Sequence, residues 1–418
     1  VNSWHGNGFG ARQPGAGAEV SIPAHHAIHA ENRWKGRSRM AIERLEMRII
    51  IESARLAAKV QLKHLERLRL DVSKFAVRTV EPECVQIPIR GVVATDAGLI
   101  SAMLSPFRLD FLHVADSENV VHVAEFFPLS TLAEDLERVF STNETLRRFP
   151  ELLGVNWQDL SNLWQRTDGN NPPMPRDVSL VSDTLRDISE WAVAMRLAEE
   201  AFEARPADSS IRRLILRDGL LRSFLMREEI VAEHLPHWWR ETAWRQGRVA
   251  IAGVGKSSII WQQMALALDR DVRVQGIQHG YIIIPEDIER AIFRRSFDAK
   301  RLGFGRLVLV KTRPDSVGFY LPVDLPDWIV EDRAAMDAVV AQIINVSRHS
   351  FPQPGYPGPL EKAHQAAHLN SFDANVIRDQ LLNALRDEIK DTRNFERLLR
   401  FWAFHPEQWE KSAKSTKR

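Results

Sequence analysis

Two aspartates stand where a carboxylate is costly. Asp96 follows the apolar run in Gly91-Val92-Val93-Ala94-Thr95-Asp96-Ala97-Gly98, and Asp218 ends Leu214-Ile215-Leu216-Arg217-Asp218 just before Gly219. A carboxylate at the end of a buried strand needs something to neutralise it, and a cation does so. Two such carboxylates on neighbouring strand ends can hold a hard, oxygen-loving ion such as Mg²⁺ or Mn²⁺. An ion of that kind lowers the pKa of a bound water and stabilises charge developing on a scissile phosphate. Taken singly, each site reads equally well as turn chemistry, since a following glycine lets the backbone bend sharply. The pair is what points to a metal centre.

Gly253-Val254-Gly255-Lys256-Ser257, after a strand and before a helix, is half of a phosphate-binding P-loop. The other half is missing: the first glycine of such a loop falls six residues before the lysine, where this chain has Ala250, and no convincing Mg²⁺-binding strand follows. A P-loop-like nucleotide hydrolase using Lys256 and Ser257 is therefore a rival reading. Trp238, Trp239 and Trp244 can stack on bases but stand at helical spacing, which favours packing. Gln278-His279-Gly280-Tyr281 mixes polar residues with glycine and is a candidate cleft lining.

The elements that must position these residues follow from the patterning. With 418 residues, 44% of them hydrophobic, the chain can bury a large core. Lys plus Arg number 56 against 55 for Asp plus Glu, so a nucleic-acid partner must be sought in local patches. The single cysteine, Cys84, excludes an intrachain disulfide framework and a cysteine-based zinc cluster. No apolar run approaches the roughly 20 residues needed to cross a bilayer, so a soluble, cytoplasmic protein is expected. Residues 1–25 read as a disordered lead-in, 26–80 as a helical segment, 81–405 as the main domain with a surface loop insertion near 165–178, and 406–418 as a basic tail.

Within the helical segment, a long amphipathic helix over residues 31 to 70 carries 11 Lys/Arg against 5 Glu. It reads as a solvated face or as a contact for DNA or a partner. Strands are expected at Cys84 to Ala97, Ala102 to Val114 and Val120 to Phe127, with turns at Gly98 and Asp116-Ser117-Glu118. Helices follow at 130–166 and from Val178 to Ala204, then a strand from Ile211 to Leu216 and a helix at 220–246. A strand from Arg248 to Val254 and a helix from Ser257 to Leu268 come next. The strand pair Arg306 to Thr312 and Val317 to Val323 and helices at 331–347 and 373–390 close the chain. This order gives an α/β fold, a mixed sheet flanked by helices, of which the RNase H-like architecture is one example.

Four segments resemble, in order, the successive motifs of the NurA nuclease family: the Asp96 strand, Leu216-Arg217-Asp218-Gly219-Leu220-Leu221, Ile251-Ala252-Gly253-Val254-Gly255-Lys256-Ser257, and Gly355-Tyr356-Pro357-Gly358-Pro359-Leu360-Glu361-Lys362-Ala363-His364. The resemblance spans about residues 84 to 390. It implies an RNase H-like core, Mn²⁺- or Mg²⁺-dependent exo- and endonuclease activity on DNA ends, a homodimer, and docking onto a HerA-type hexameric ATPase. Repair-linked end resection and anti-phage defence both suit such a machine.

Carried over by position, the family's metal-binding aspartates fall on Asp96 and Asp218. A glutamate lies between them on the helix before the second aspartate's strand. Distance along the chain to Asp218 favours Glu199, with Glu200 next; adjacent helical residues diverge by about 100°, so one of them can face the site. His364 matches the family's histidine, as a metal ligand or proton-transfer group, with His368 a turn later as its competitor. A zinc pair of these two lacks a third ligand at motif spacing. Lys256, in this reading, contacts the scissile phosphate. A second rival, a non-catalytic adaptor of a hexameric ATPase acting through the basic helix, sits poorly with retention of both aspartates.

Overall fold

The two apolar runs that end in aspartate become adjacent parallel strands at the middle of a mixed sheet. The structure is a computed structural model. It describes residues 51–57, 59–60, 74–104, 107–128, 133–166, 174–175, 178–202, 210–255, 264, 268, 271–292, 304–314, 320–389, 393 and 396–397. The chain divides into two units, Val1–Leu70 with Thr416–Arg418, and Asp71–Ser415. In the first, residues 51–57 and 59–60 are helical; the rest of the expected basic helix, the lead-in and the tail lie outside the described residues.

The second unit holds strands β1 (Ala76–Thr79), β2 (Val92–Leu104), β3 (Phe107–Asp116), β4 (Val121–Pro128), β5 (Gln165–Arg166), β6 (Met174–Pro175), β7 (Arg213–Asp218), β8 (Val249–Val254), β9 (Gly280–Ile283), β10 (Gly305–Lys311) and β11 (Tyr320–Pro326). Among the described residues, nine of these form one sheet in the order β1-β9-β10-β11-β8-β7-β2-β3-β4. β2 pairs in parallel with β7, and β7 with β8, while β3 runs antiparallel between β2 and β4. The five strands β4-β3-β2-β7-β8 thus have RNase H-like connectivity, and β11, β10, β9 and β1 extend the sheet in antiparallel fashion.

Helices α1 (Ala133–Thr142), α2 (Glu144–Leu153), α3 (Val178–Glu200), α4 (Glu229–Trp238), α5 (Glu286–Ile292), α6 (Arg333–Arg348), α7 (Gly358–Ala367) and α8 (Ser371–Glu388) accompany the sheet. α3 exists because Val181, Leu185, Ile188, Ala192 and Met195 recur at helical spacing; all five are buried. They share one core with Val93 and Ile215 of the sheet and with α1, α2 and α4. The other face, with Ala94, Leu216, Ala252 and Val254, packs against α6 and α7. Alternate residues of β2 and β7 therefore serve opposite cores, as the two-residue period of a strand requires. α6 begins at Asp332, whose side chain accepts from the Ala334 and Ala335 amides.

Several expectations need correction. Gly98 lies inside β2, not in a turn: the strand starts at Val92, where pairing with β7 begins, and runs on past Asp96 to pair with β3. Residues 76–79, assigned to the helical segment, form the edge strand β1 instead. The cleft candidate around Gly280 is strand β9, and the Tyr281 hydroxyl is spent on Asp337 at 2.7 Å. The helix expected over 130–166 ends at Leu153, where Gly154 takes a left-handed φ of 69°. The helix expected at 220–246 resolves into a 3₁₀ turn, α4, and a π-helical stretch at Trp239–Gln246. In the loop near 165–178, β5 and β6 pair with each other. The helix expected over 257–268 lies largely outside the described residues. Among the described residues no helix is long and apolar enough to cross a membrane.

A buried charge cluster ties the segment after β7 to the far half of the sheet. Arg222 pairs with Asp324 of β11, at 3.0 Å, and with Glu289 of α5; Asp324 is 0% exposed and Glu289 1%. Burial pushes the Asp324 pKa up, and the Arg222 charge pulls against it. Removing the cation strands buried Asp324 and leaves Glu289 with Arg306 at 3.5 Å as its remaining cation. Arg222→Met is therefore expected to destabilise the protein by about 3–5 kcal/mol, measured by urea unfolding; an unchanged midpoint would show that the cluster does not bear on stability.

Candidate active site

The β2–β7 register runs from Val92 opposite Leu214 to Thr95 opposite Arg217. One further step sets Asp96 level with Asp218. Both residues have the parity of Ala94 and Leu216, so they look toward the α7 side of the sheet. Asp96 is 5% exposed and Asp218 half-buried. Gly219 has a φ of 90°, which turns the chain away immediately after the second carboxylate.

α7 delivers the rest of the site. Its Leu360, Ala363 and Ala367 are buried, and Pro359 in the first turn suits a helix start. Gly98 of β2 lies directly beneath its last turn, where a Cβ would overlap the Ala367 carbonyl oxygen. This contact lets the helix approach the strand backbone closely, and His364 meets Asp96 as a result. The His364 Nδ1 is 2.6 Å from Asp96 Oδ2, while Asp96 Oδ1 accepts from the Ala97 amide at 2.8 Å. A carboxylate holding one imidazole nitrogen fixes the ring's tautomer and orientation. His368 is exposed and ends the helix, its amide bonded to the His364 carbonyl at 2.8 Å. The two rings lie 5.8 Å apart.

Tyr356, just before α7, places its hydroxyl 3.5 Å from Asp218 Oδ1, at the limit of a hydrogen bond. Its pKa is raised, first by burial and then by the negative charges of Asp218 and Asp96. One tyrosine thus senses both carboxylates. It stands in the Tyr-Pro motif of the sequence but was not singled out there; the motif itself was the signal.

The α3 side of the sheet contributes a second set of charges. Arg212 donates to the carbonyls of Ala201 and Phe202, Arg213 to that of Leu197, and Arg217 to the Glu190 carboxylate at 2.8 Å. These contacts run in opposite directions along the two elements, so α3 is antiparallel to β7 and its N-terminal half lies beside the aspartates. Glu190, not Glu199, is at that level. The two are separated by about 14 Å along the helix, at roughly 1.5 Å per residue. Glu199 instead pairs with Arg148 at 2.8 Å, and Glu200 with Arg196 at 3.2 Å. Glu200 also lines a separate cavity of about 250 Å³ with Asp116, His122 and Arg213. Distance along the chain does not give spatial level here, because α3 runs antiparallel to β7.

Glu190 is 6% exposed and bonded to Arg217, which also pairs with Asp187, donates to the Leu220 carbonyl at 3.0 Å and covers the Trp191 ring. Burial pushes the Glu190 pKa up to about 8, outweighing Arg217 and Arg186, with the Asp96 charge adding to the rise. Trp238, Trp239 and Trp244 are buried packing residues. Lys256 lies outside the described residues; β8 ends just before it, with the Gly255 amide bonded to the Pro322 carbonyl at 2.8 Å.

The structure thus brings Asp96, Asp218 and His364 together and leaves Glu199 elsewhere. Among the described residues no three His, Cys, Asp or Glu side chains converge into a complete ligand set. What the strand ends offer is a pair of hard carboxylate oxygens, a donor type that suits Mg²⁺ or Mn²⁺ and not a soft metal.

In class, then, the molecule is an α/β protein with an RNase H-like sheet and an acidic centre where the parallel pairing of β2 with β7 ends, Asp96 within β2 and Asp218 at the end of β7. No family model matches the chain, and no curated protein does. Among solved structures it is similar to the NurA nuclease from Sulfolobus solfataricus, at 13% identity and a TM-score of 0.42, covering 85% of this chain and 99% of that one. NurA with manganese is similar at 10% identity and a TM-score of 0.38, over 80% and 98% of the two chains. NurA bound to dAMP and manganese gives 11%, 0.35, 84% and 98%.

The Glu190 shift has a testable sign. Its folded pKa of about 8 lies above the ordinary 4.5, so the uncharged acid is the form the fold prefers. Stability is fully present below pH 4.5 and is lost as pH rises toward 8. Glu190→Gln is expected to match the metal-free wild type at pH 4.5 and to exceed it by about a few kcal/mol above pH 8. Chemical denaturation in chelator measures this; a difference constant across that range would contradict it.

Proposed function

We propose that this chain is a divalent-metal-dependent deoxyribonuclease that hydrolyses phosphodiester bonds at DNA ends. The observation that carries the reading is the meeting of Asp96 with His364 on a strand whose register sets Asp96 level with Asp218. Asp96 and Asp218 would hold the ion, Mn²⁺ or Mg²⁺, with Glu190 as a third carboxyl on the α3 side, on which the Asp96 charge acts. When bound, such an ion polarises the phosphate and makes water a better nucleophile.

The chain's own residues divide the remaining work. Asp96 fixes His364 through Nδ1, so proton exchange with the attacking water or the leaving oxygen falls to Nε2. Tyr356 keeps the Asp218 carboxylate oriented toward the α7 side. Lys256, two residues after β8 in the sequence, would contact phosphate in this reading. The motif resemblance supports a homodimer working with a HerA-type hexameric ATPase, which would feed DNA to the site.

Purified protein with Mn²⁺ is expected to degrade linear DNA from its ends. Asp96→Asn and Asp218→Asn should each slow this by more than about 100-fold, since even groups that only orient a metal ligand are worth about 10–100-fold. Degradation by either variant at the wild-type rate would remove the assignment.

A further inference from the structure

The site is strongly acidic, and its substrate under the reading above is a polyanion. Asp183, Arg186, Asp187 and Glu190 stand at positions i, i+3, i+4 and i+7 of α3, one stripe of the helix. Two guanidinium groups reach this stripe, and they are held differently. Arg217 is held at hydrogen-bond distance through its terminal nitrogens: it pairs with Asp187 and Glu190, donates to the Leu220 carbonyl, covers Trp191, and its side chain is 6% exposed. Arg186 is not. Its carboxylate partners, Asp183 and Glu190, are both 3.9 Å away, and its side chain is 32% exposed. It makes no hydrogen bond to another described residue.

We infer that Arg186 grips a phosphate of the DNA strand as it enters the site, an assignment that rests on the nuclease reading. Burial is the largest effect on its charge and opposes it; the neighbouring acids Glu190, Asp183, Asp187 and Asp96 act the other way and together raise its pKa, Glu190 only where it is ionised. An arginine serving only to neutralise the stripe would close onto an acid as Arg217 does, at hydrogen-bond distance. Arg186 instead keeps its donors uncommitted and partly exposed within electrostatic reach of Asp96. Its planar fork matches two oxygens of a phosphate, which the point charge of a lysine does not. His364 approaches Asp96 from α7, and Arg186 stands on the α3 side. A phosphate at the end of β7, level with Asp96, would thereby have the cation on one flank and the proton-transfer group on the other.

The test is steady-state cleavage of an end-labelled DNA by the full chain in Mn²⁺ over a range of KCl concentrations, for wild type, Arg186→Gln and Arg186→Lys, alongside thermal unfolding. Loss of one phosphate contact should raise KM for Arg186→Gln by about tenfold. It should also lower the slope of log KM against log salt by about one, with kcat changed far less. Arg186→Lys should keep the wild-type slope but show a raised KM, because charge is retained and the fork is lost. A lowered melting temperature with unchanged KM and slope in both variants would make Arg186 a structural neutraliser and overturn the inference while leaving the nuclease reading intact. If Arg186→Gln fails to fold, Arg186→Lys decides alone: a raised KM supports the inference and a wild-type KM overturns it. No cleavage by the wild type would overturn the nuclease reading and this inference together.

Discussion

Two carboxylates fixed side by side at the ends of paired parallel strands repel one another, and burial strengthens the repulsion because less water is present to screen it. The β2–β7 register leaves Asp96 and Asp218 no freedom to part. Their surroundings answer that constraint from two directions. On the α7 side, His364 binds Asp96 and Tyr356 reaches toward Asp218. On the α3 side, Arg186 and Arg217 carry positive charge toward the same strand ends. Under the proposed function, a divalent cation between the carboxylates would complete that answer.

The rest of the fold can be understood as the means of holding this arrangement still. α7 approaches β2 closely because Gly98 has no side chain, and Gly219 turns the backbone away directly after Asp218. The segment that follows is fastened twice, by Arg217 to the Leu220 carbonyl and by Arg222 to Asp324 and Glu289. Each of these residues touches the chain that carries a site carboxylate, so the site's geometry and the stability of the sheet are one problem. Charged groups are buried on both faces, and each carboxylate among them has a cation or a hydrogen-bond donor close by.

Much of this was legible in the sequence, for identifiable reasons. Strands β2, β7 and β8 announce themselves as short apolar runs, and an aspartate at the end of such a run is conspicuous because it contradicts its context. His364 was legible through the Tyr-Pro segment that precedes it. The level of Glu190 is not legible: spacing along the chain says nothing of spatial level when a helix runs antiparallel to the next strand, and the contacts of Arg212, Arg213 and Arg217 set Glu190, on the α3 side, near the end of β7. Gly98 suggests a turn in the sequence because glycine usually marks one. Here it marks a close approach between strand and helix, which depends on a partner more than 250 residues away in sequence, Ala367. The edge strand β1 and its neighbour β9 are 4 residues each, too short for alternation to stand out.

The central claim is that the Asp96–Asp218 pair is a divalent-cation site. Crystals of the protein grown or soaked in Mn²⁺ and measured for anomalous scattering test it most directly. The account predicts a manganese peak bounded by the Asp96 and Asp218 carboxylates, lost in Asp218→Asn crystals. A well-ordered structure in Mn²⁺ with no peak there, or with manganese bound only elsewhere, would contradict it.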